Sequence, residues 1–560
     1  MRYGRLKMAL LLSTALAGSS LLGAATSAHE TTASATAAPA AGAQEPLYDN
    51  LGNLSYPIST DSELAQKYFD QGLRWTYAFN HAAARRAFQE AQRQDPNCAM
   101  CYWGEAFVLG PNINAPMEAG AANPAVVAIE KAKETAHHAS EREQALIEAL
   151  APRYSDDPGA DRASLDQAYA DAMRAAHERF PDDPEIAVLY ADSVMNTSPW
   201  DYWDTDGATP KGRIGEAIAA IEGVLAENPS HVGAIHLYIH LTEASTTPER
   251  AEPYADRLAA LMPGAGHIVH MGGHTFYRIG RFHDSAEINK QAVAADEAYL
   301  AKVDDQGYWR YGYHPHNVHF VMVSALMAGD VASALEYTER LDGKVSDEVA
   351  AQAGWIQAIK QAPYFIHAHL SDPATVLALP DPGDRFPYVQ AAWHYARGVV
   401  FARKGELESA RTEAAKIAEI AQRTDVSYPA DIDFVVEDVL AIARHVVEGR
   451  IAQAEGDWDQ AVKEFEIAVQ IQDSLAYLEP PFWYYPIRQS LGAALLMAGR
   501  AEEAASVFEA ALADVPNNGW ALYGLMQAYD ARGDQLAKAE TEKLFIKAWA
   551  GAAPPDLARL

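Results

Sequence analysis

The chain has 560 residues, 44 of them basic and 76 acidic, for a net charge of −32. That balance excludes a nucleic-acid binder, which needs a basic face to neutralise phosphates, and it excludes electrostatic docking on anionic lipid. Apolar content of 49% with only two cysteines excludes a disordered chain, a disulfide scaffold and a cysteine-rich zinc module.

Residues 1–28 read as an export signal. Arg2, Arg5 and Lys7 precede an apolar stretch from Met8 to about Ala25, and Thr26, Ser27 and Ala28 offer small residues for cleavage before His29. Ser and Gly interrupt the stretch, and no other run reaches membrane length. The mature chain is therefore expected to be soluble, without a membrane span, and exported to the periplasm or secreted. Residues 29–58 are expected to be a low-complexity linker, rich at its start in Ala, Thr and Pro, with no reason to fold.

From residue 59 the apolar positions follow the helical period, with Ala at packing positions and Gly or Pro as punctuation. Gly72, Ala84, Phe88, Ala91 and Pro96 fall at the spacing of a 34-residue helix–turn–helix unit. Gly398, Gly405 and Ala410 repeat part of it, as do Gly449, Gly456, Ala461, Phe465 and Ala468. Gly492, Gly499, Ala504, Phe508, Ala511 and Pro516 repeat it in full. The pattern resembles the tetratricopeptide repeat, with degenerate units filling most of residues 60–550. The resemblance implies an all-α fold, an α-solenoid in which a superhelix of antiparallel helix pairs lines a concave groove with the first helix of each unit. It also implies a peptide or protein partner in that groove. The expected organisation is an N-terminal array over 59–360, a proline-containing break over 361–390, a C-terminal array over 391–550 and a tail over 551–560.

Cys98 and Cys101 sit at the start of a first helix. The residue after them is Tyr102, so they do not form a c-type haem attachment motif. In an oxidising compartment the pair can close a local disulfide across one turn; a redox pair and a pair of metal ligands are the alternatives.

The middle of the array departs from the pattern. Between His231 and His319 lie ten histidines in 89 residues, where the chain average of 19 in 560 would place about three. The resemblance makes positions 2, 5, 9 and 12 of each first helix face the groove, and these positions lie within about an 80° arc. They hold His236, His240 and Glu243 in a unit starting near Val232. They hold His267, His270 and His274 in the unit starting at Gly266, and His316 and His319 in one starting near Pro315. Three neighbouring helices thus aim imidazoles at one stretch of groove. Neutral imidazole is the commonest nitrogen ligand of transition metals, and this set suits copper, zinc or iron. Glu243 is a further ligand or an orienter of one. A metal-free scaffold for a peptide or protein, and a metal-dependent enzyme acting on a small molecule, are the alternatives. No catalytic residue is assigned.

Two aromatic insertions flank the cluster. One carries Trp200, Tyr202 and Trp203, the other Trp309, Tyr311 and Tyr313. They are read as a lid that narrows the groove over a small-molecule ligand, or as apolar cover for their own units. Walker, dinucleotide, nucleophile-elbow and zinc-protease motifs are absent from the sequence.

Overall fold

The computed structural model describes residues 45–560 apart from 119, 158, 306, 342, 424–426 and 430. The export signal at 1–28 and the first part of the linker lie outside the described residues. Among the described residues there are 25 α-helices and no β-strand, and no helix is long and apolar enough to cross a membrane.

The helices begin and end where local chemistry requires. Ser62, Asn80, Asp183, Asp457 and Asn518 each accept a hydrogen bond from a backbone N–H of the helix they precede. Ser140 and Glu143 cap reciprocally. Gly329 and Gly456 close helices at φ of 76° and 78°, a conformation that costs glycine nothing. Short turns then fold each helix back on the last, as in Glu63–Tyr77 with His81–Gln94 and Arg488–Met497 with Ala501–Asp514.

The repeated glycines and phenylalanines are partners in packing. A Cβ on Gly72 would lie 2.6 Å from the Phe88 ring, and one on Gly104, in the next unit, 2.5 Å from it. Gly492 and Gly524 flank Phe508 in the same way, at 2.7 and 2.2 Å. One ring from a second helix is therefore held between two first helices, and only glycine on both sides admits it.

Both ends of the array return to its middle. At the N-terminal side, Arg86 donates to the Tyr299 hydroxyl and the Trp75 ring stands 5.2 Å from that of Tyr299. At the C-terminal side, Trp520 Nε1–H donates to the Leu326 carbonyl and the Ala550 N–H to the Ala328 carbonyl. The Tyr484 hydroxyl donates to the Ala358 carbonyl. Two large apolar cores result, with a small third group at Leu522, Met526 and Phe545. One runs from Leu51 to Tyr313 and the other from Tyr277 to Leu560. They meet at the histidine helices.

Three expectations change. Residues 45–58 are packed rather than solvated: Leu51 and Tyr56 are buried, and the backbone N–H groups of Tyr48 and Tyr56 donate to Gln71 and Asp70. Those two polar side chains are buried in helix Glu63–Tyr77, and this segment supplies their partners. Helix Gly354–Leu370 runs through Pro363, so the irregular stretch narrows to the short helix Pro373–Leu377 and the residues up to Phe386. The tail is docked: Leu560 is buried and its carbonyl accepts from Arg450.

Gly280 and Gly456 separate two costs. Both are left-handed, at φ of 77° and 78°, but a Cβ on Gly280 would lie 1.9 Å from the Pro516 carbonyl oxygen, while one on Gly456 meets open space. Gly456→Ala should cost about 1 kcal/mol of backbone strain. Gly280→Ala should cost roughly 2 kcal/mol more, because the returning C-terminal array must shift. Urea midpoints of the two variants check this, and equal losses would contradict the contact between Gly280 and Pro516.

Candidate metal centre

Three helices carry the site: Val232–Thr242, Gly266–Arg278 and His314–Ala328. His236, His240, Glu243, His267, His270 and His274 are all at most 2% exposed, and His316 is partly buried. Groups buried this deeply must be neutral or paired.

Hydrogen bonding to one ring nitrogen fixes what the other can do. His236 Nδ1 is 2.6 Å from the Tyr77 carbonyl oxygen, which can only accept, so Nδ1 carries the proton. His240 Nδ1 is 2.7 Å from Glu243 Oε1. His274 Nδ1 lies 2.6 Å from Glu243 Oε2, at ion-pair distance though not aligned as a hydrogen bond. His270 Nδ1 is 2.5 Å from Asn289 Oδ1, and the Asn289 amide is oriented by donation from Nδ2 to the Ser285 carbonyl. His236, His240 and His270, each protonated at Nδ1, therefore present bare Nε2 lone pairs inward.

Those nitrogens converge. His270 Nε2 lies 2.7 Å from His274 Nε2 and 3.1 Å from His316 Nε2. His236 Nε2 lies 3.1 Å from His267 Nε2, and His240 Nε2 is buried without a partner. Two triads follow, His236/His240/His267 and His270/His274/His316, each with its three ligand atoms within 4.8 Å of one another. A third group, Glu243/His274/Glu479, shares His274 with the second triad.

Burial sets the protonation. It drives His236, His267, His270 and His316 well below the usual imidazole range, and neighbouring imidazoles push the same way. Burial also lowers His240. Burial would lower His274 too, but the Glu243 carboxylate outweighs it and raises His274. Burial would raise Glu243, yet His274 and His240 hold it low, so it is ionised. Burial pushes Glu479 up to about 8.

A tetratricopeptide repeat family model matches residues 495–542. The protein carries tetratricopeptide repeats. Solved structures similar to it include the human IFIT1 dimer with m7Gppp-AAAA, at 12% identity, 87% of this chain, 91% of that one and a TM-score of 0.30. Yeast Tom70 is another, at 10% identity, 86% and 92% coverage and a TM-score of 0.29. The APC/C heterotetramer Cut9–Hcn1 is a third, at 13% identity, 84% and 77% coverage and 0.28. No curated protein matches the chain. At these identities no functional residue transfers.

The tetratricopeptide pattern does show where this chain departs from itself. Turn glycines stand seven residues after Gly398, Gly449 and Gly492, at Gly405, Gly456 and Gly499. Seven residues after Gly72 stands Phe79, left-handed at φ 57°. Its ring lies 4.4 Å from that of His236, 5.5 Å from His267 and 6.1 Å from His240. Sixteen residues after Gly72, Gly449 and Gly492 stand Phe88, Phe465 and Phe508, but sixteen after Gly273 stands Asn289, the partner of His270. Phe79, Asn289, the Tyr77 carbonyl and Glu479 were not picked out from sequence. Breaks in the repeat pattern mark the first two, whereas nothing local marks the others.

The remaining candidates divide. His319 faces the Tyr484 ring at 5.2 Å and joins neither triad. The returning C-terminal segment covers it. Tyr313 packs on His267 at 4.5 Å, Trp200 on His240 at 5.2 Å, and Trp309 donates to Asp296 while standing 6.5 Å from His267. Trp203 donates to the Leu241 carbonyl and Tyr202 is buried, so these two serve packing. Tyr311 is half-buried. His231 caps helix Val232–Thr242 and pairs with Glu185. Cys98 and Cys101 are joined in a disulfide at the start of helix Ala99–Leu109, far along the chain from the triads.

His319 provides a pH test. Burial alone pushes it down to about 3, and neither ring nitrogen has a partner. Unfolding exposes it to its ordinary value near 6.5, so the unfolded chain binds an extra proton between about pH 6.5 and 3, and stability falls as pH falls through that window. Relative to His319→Phe, the wild type should lose about 1.4 kcal/mol per pH unit below pH 6. Paired urea titrations at pH 7 and pH 5 measure this difference, with metal content unchanged in the variant. A constant difference would show that the ring is hydrated.

Proposed function

We propose that this tetratricopeptide-repeat protein binds a transition metal, copper, zinc or iron, through the buried imidazoles of its three middle first helices. One observation carries the reading. Nδ1 of His236, His240 and His270 is each engaged by an acceptor, which leaves Nε2 to point into two buried triads whose ligand atoms lie within 4.8 Å of one another. The Nδ1 partners Tyr77, Glu243 and Asn289 match the pattern of ligating histidines, whose second nitrogen donates to a carbonyl, carboxylate or amide. When bound, such a metal supplies Lewis acidity or redox capacity, and the residues around it hold the imidazoles in one tautomer and exclude water.

Elemental analysis of the purified protein tests the reading, with the double variant His240→Ala/His270→Ala beside it. Near-stoichiometric metal is expected in the wild type and little in the variant, and metal should raise the unfolding midpoint of the wild type alone. Asn289→Leu keeps every ligand but removes the acceptor that orients His270, and should weaken affinity 10- to 100-fold in chelator competition. A wild type that takes up no metal after reloading would sink the proposal.

A metal-free role in partner binding finds its own support elsewhere. The C-terminal repeats leave an open groove of about 800 Å³ lined by Arg411, Ala414, Ala418, Leu440, Arg444 and Glu448. Mixed charge over small apolar residues suits an extended peptide. Peptide-library binding that survives His240→Ala/His270→Ala and is lost with Arg411→Glu/Arg444→Glu would assign that role to this groove.

A further inference from the structure

The histidine cluster holds more imidazoles than one ion uses. Imidazole-rich sites for late first-row ions close at about four ligands, roughly 2.0–2.1 Å from the metal. Six histidines converge here, and they do so as two separate triads, His236/His240/His267 and His270/His274/His316. The ligand atoms of each triad lie within 4.8 Å of one another, and the six do not form one group. The triads are close neighbours: the His240 and His274 rings are 5.7 Å apart and those of His267 and His270 5.8 Å.

One carboxylate serves both. Glu243 places Oε1 2.7 Å from Nδ1 of His240, in the first triad, and Oε2 2.6 Å from Nδ1 of His274, in the second. An outer carboxylate that orients a ligating histidine commonly serves one ion. Here its two oxygens span two ligand sets.

Resting on the metal reading above, we infer that the cluster is a two-ion centre, in which each triad of imidazoles takes one copper or zinc ion and Glu243 couples the pair. The helical register explains how one element feeds both. On Gly266–Arg278, His267 belongs to the first triad, while His270 and His274, three and seven residues on, belong to the second. All three share one face, displaced along the axis by about 1.5 Å per residue.

The test counts ions and reads their separation. Protein loaded with cupric ion and freed of excess should hold two copper per chain, and zinc loading should also give two. The two cupric ions should sense each other, so the paramagnetic resonance signal should be broadened or integrate to well below two spins. His236→Ala/His267→Ala should hold one copper with an isolated one-spin signal, and His270→Ala/His316→Ala should do the same. Circular dichroism reports whether each variant is folded, and the wild-type count decides the question alone if one is not. A wild type with one copper per chain overturns the two-ion centre but leaves the metal reading standing. Two coppers giving a full, unbroadened two-spin signal overturn the coupling. No bound copper or zinc overturns both.

Discussion

An aromatic ring held between two glycines sets the spacing of this molecule. Phe88 between Gly72 and Gly104, and Phe508 between Gly492 and Gly524, bring successive first helices closer than any larger residue allows. Close approach of first helices is what lets side chains on three of them meet. Where the histidines lie, the same contact is made polar. Asn289 stands where the ring belongs, its amide against Gly273, and Ser285 stands where Ala84, Ala461 and Ala504 stand in other units. The Ser285 hydroxyl lies against the Gly273 carbonyl and the Ser324 hydroxyl, and the Ser285 carbonyl accepts from Asn289. The backbone spacing survives while the contact gains an acceptor for His270.

Curling of the array completes the site. A histidine face on an open groove would be wet, and its imidazoles would titrate near their ordinary values. Here the turn at Phe79 closes one side and the segment bearing Tyr477 and Glu479 closes another. Water is displaced, so neutral imidazole is the stable form for most of the cluster, and neutral imidazole is the form that ligates. The interior negative charge is Glu243, held between two histidines. The large surface excess of acid plays no part in it.

The sequence made the fold legible because the repeat is written in residue types with one geometric role each. Left-handed glycines, ring-admitting glycines and their phenylalanines recur at fixed spacing, and the helical register puts His236, His240, His267, His270, His274, His316 and Glu243 on faces that converge. His319 shares that register but meets Tyr484, because a face says nothing about which distant segment will cover it. Glu479 was illegible for the same reason: it lies more than 200 residues from Glu243 in sequence and reaches the cluster only through the return of the C-terminal array. Phe79 and Asn289 were legible in principle, as the wrong residue at a repeat position. Reading departures from a repeat, rather than matches to it, would have found them.

The cluster works against the stability of its own fold. His240 Nε2 and His267 Nδ1 are buried without hydrogen-bond partners, and each such group costs on the order of 1–3 kcal/mol. Phe79 adds backbone strain of roughly 1–2 kcal/mol where its sister units use glycine. Leucines at the same positions would pack the seam between the two cores at lower cost. Local choices that oppose the fold are gathered here, as the proposed metal site would require. The two apolar cores that meet there offset that cost.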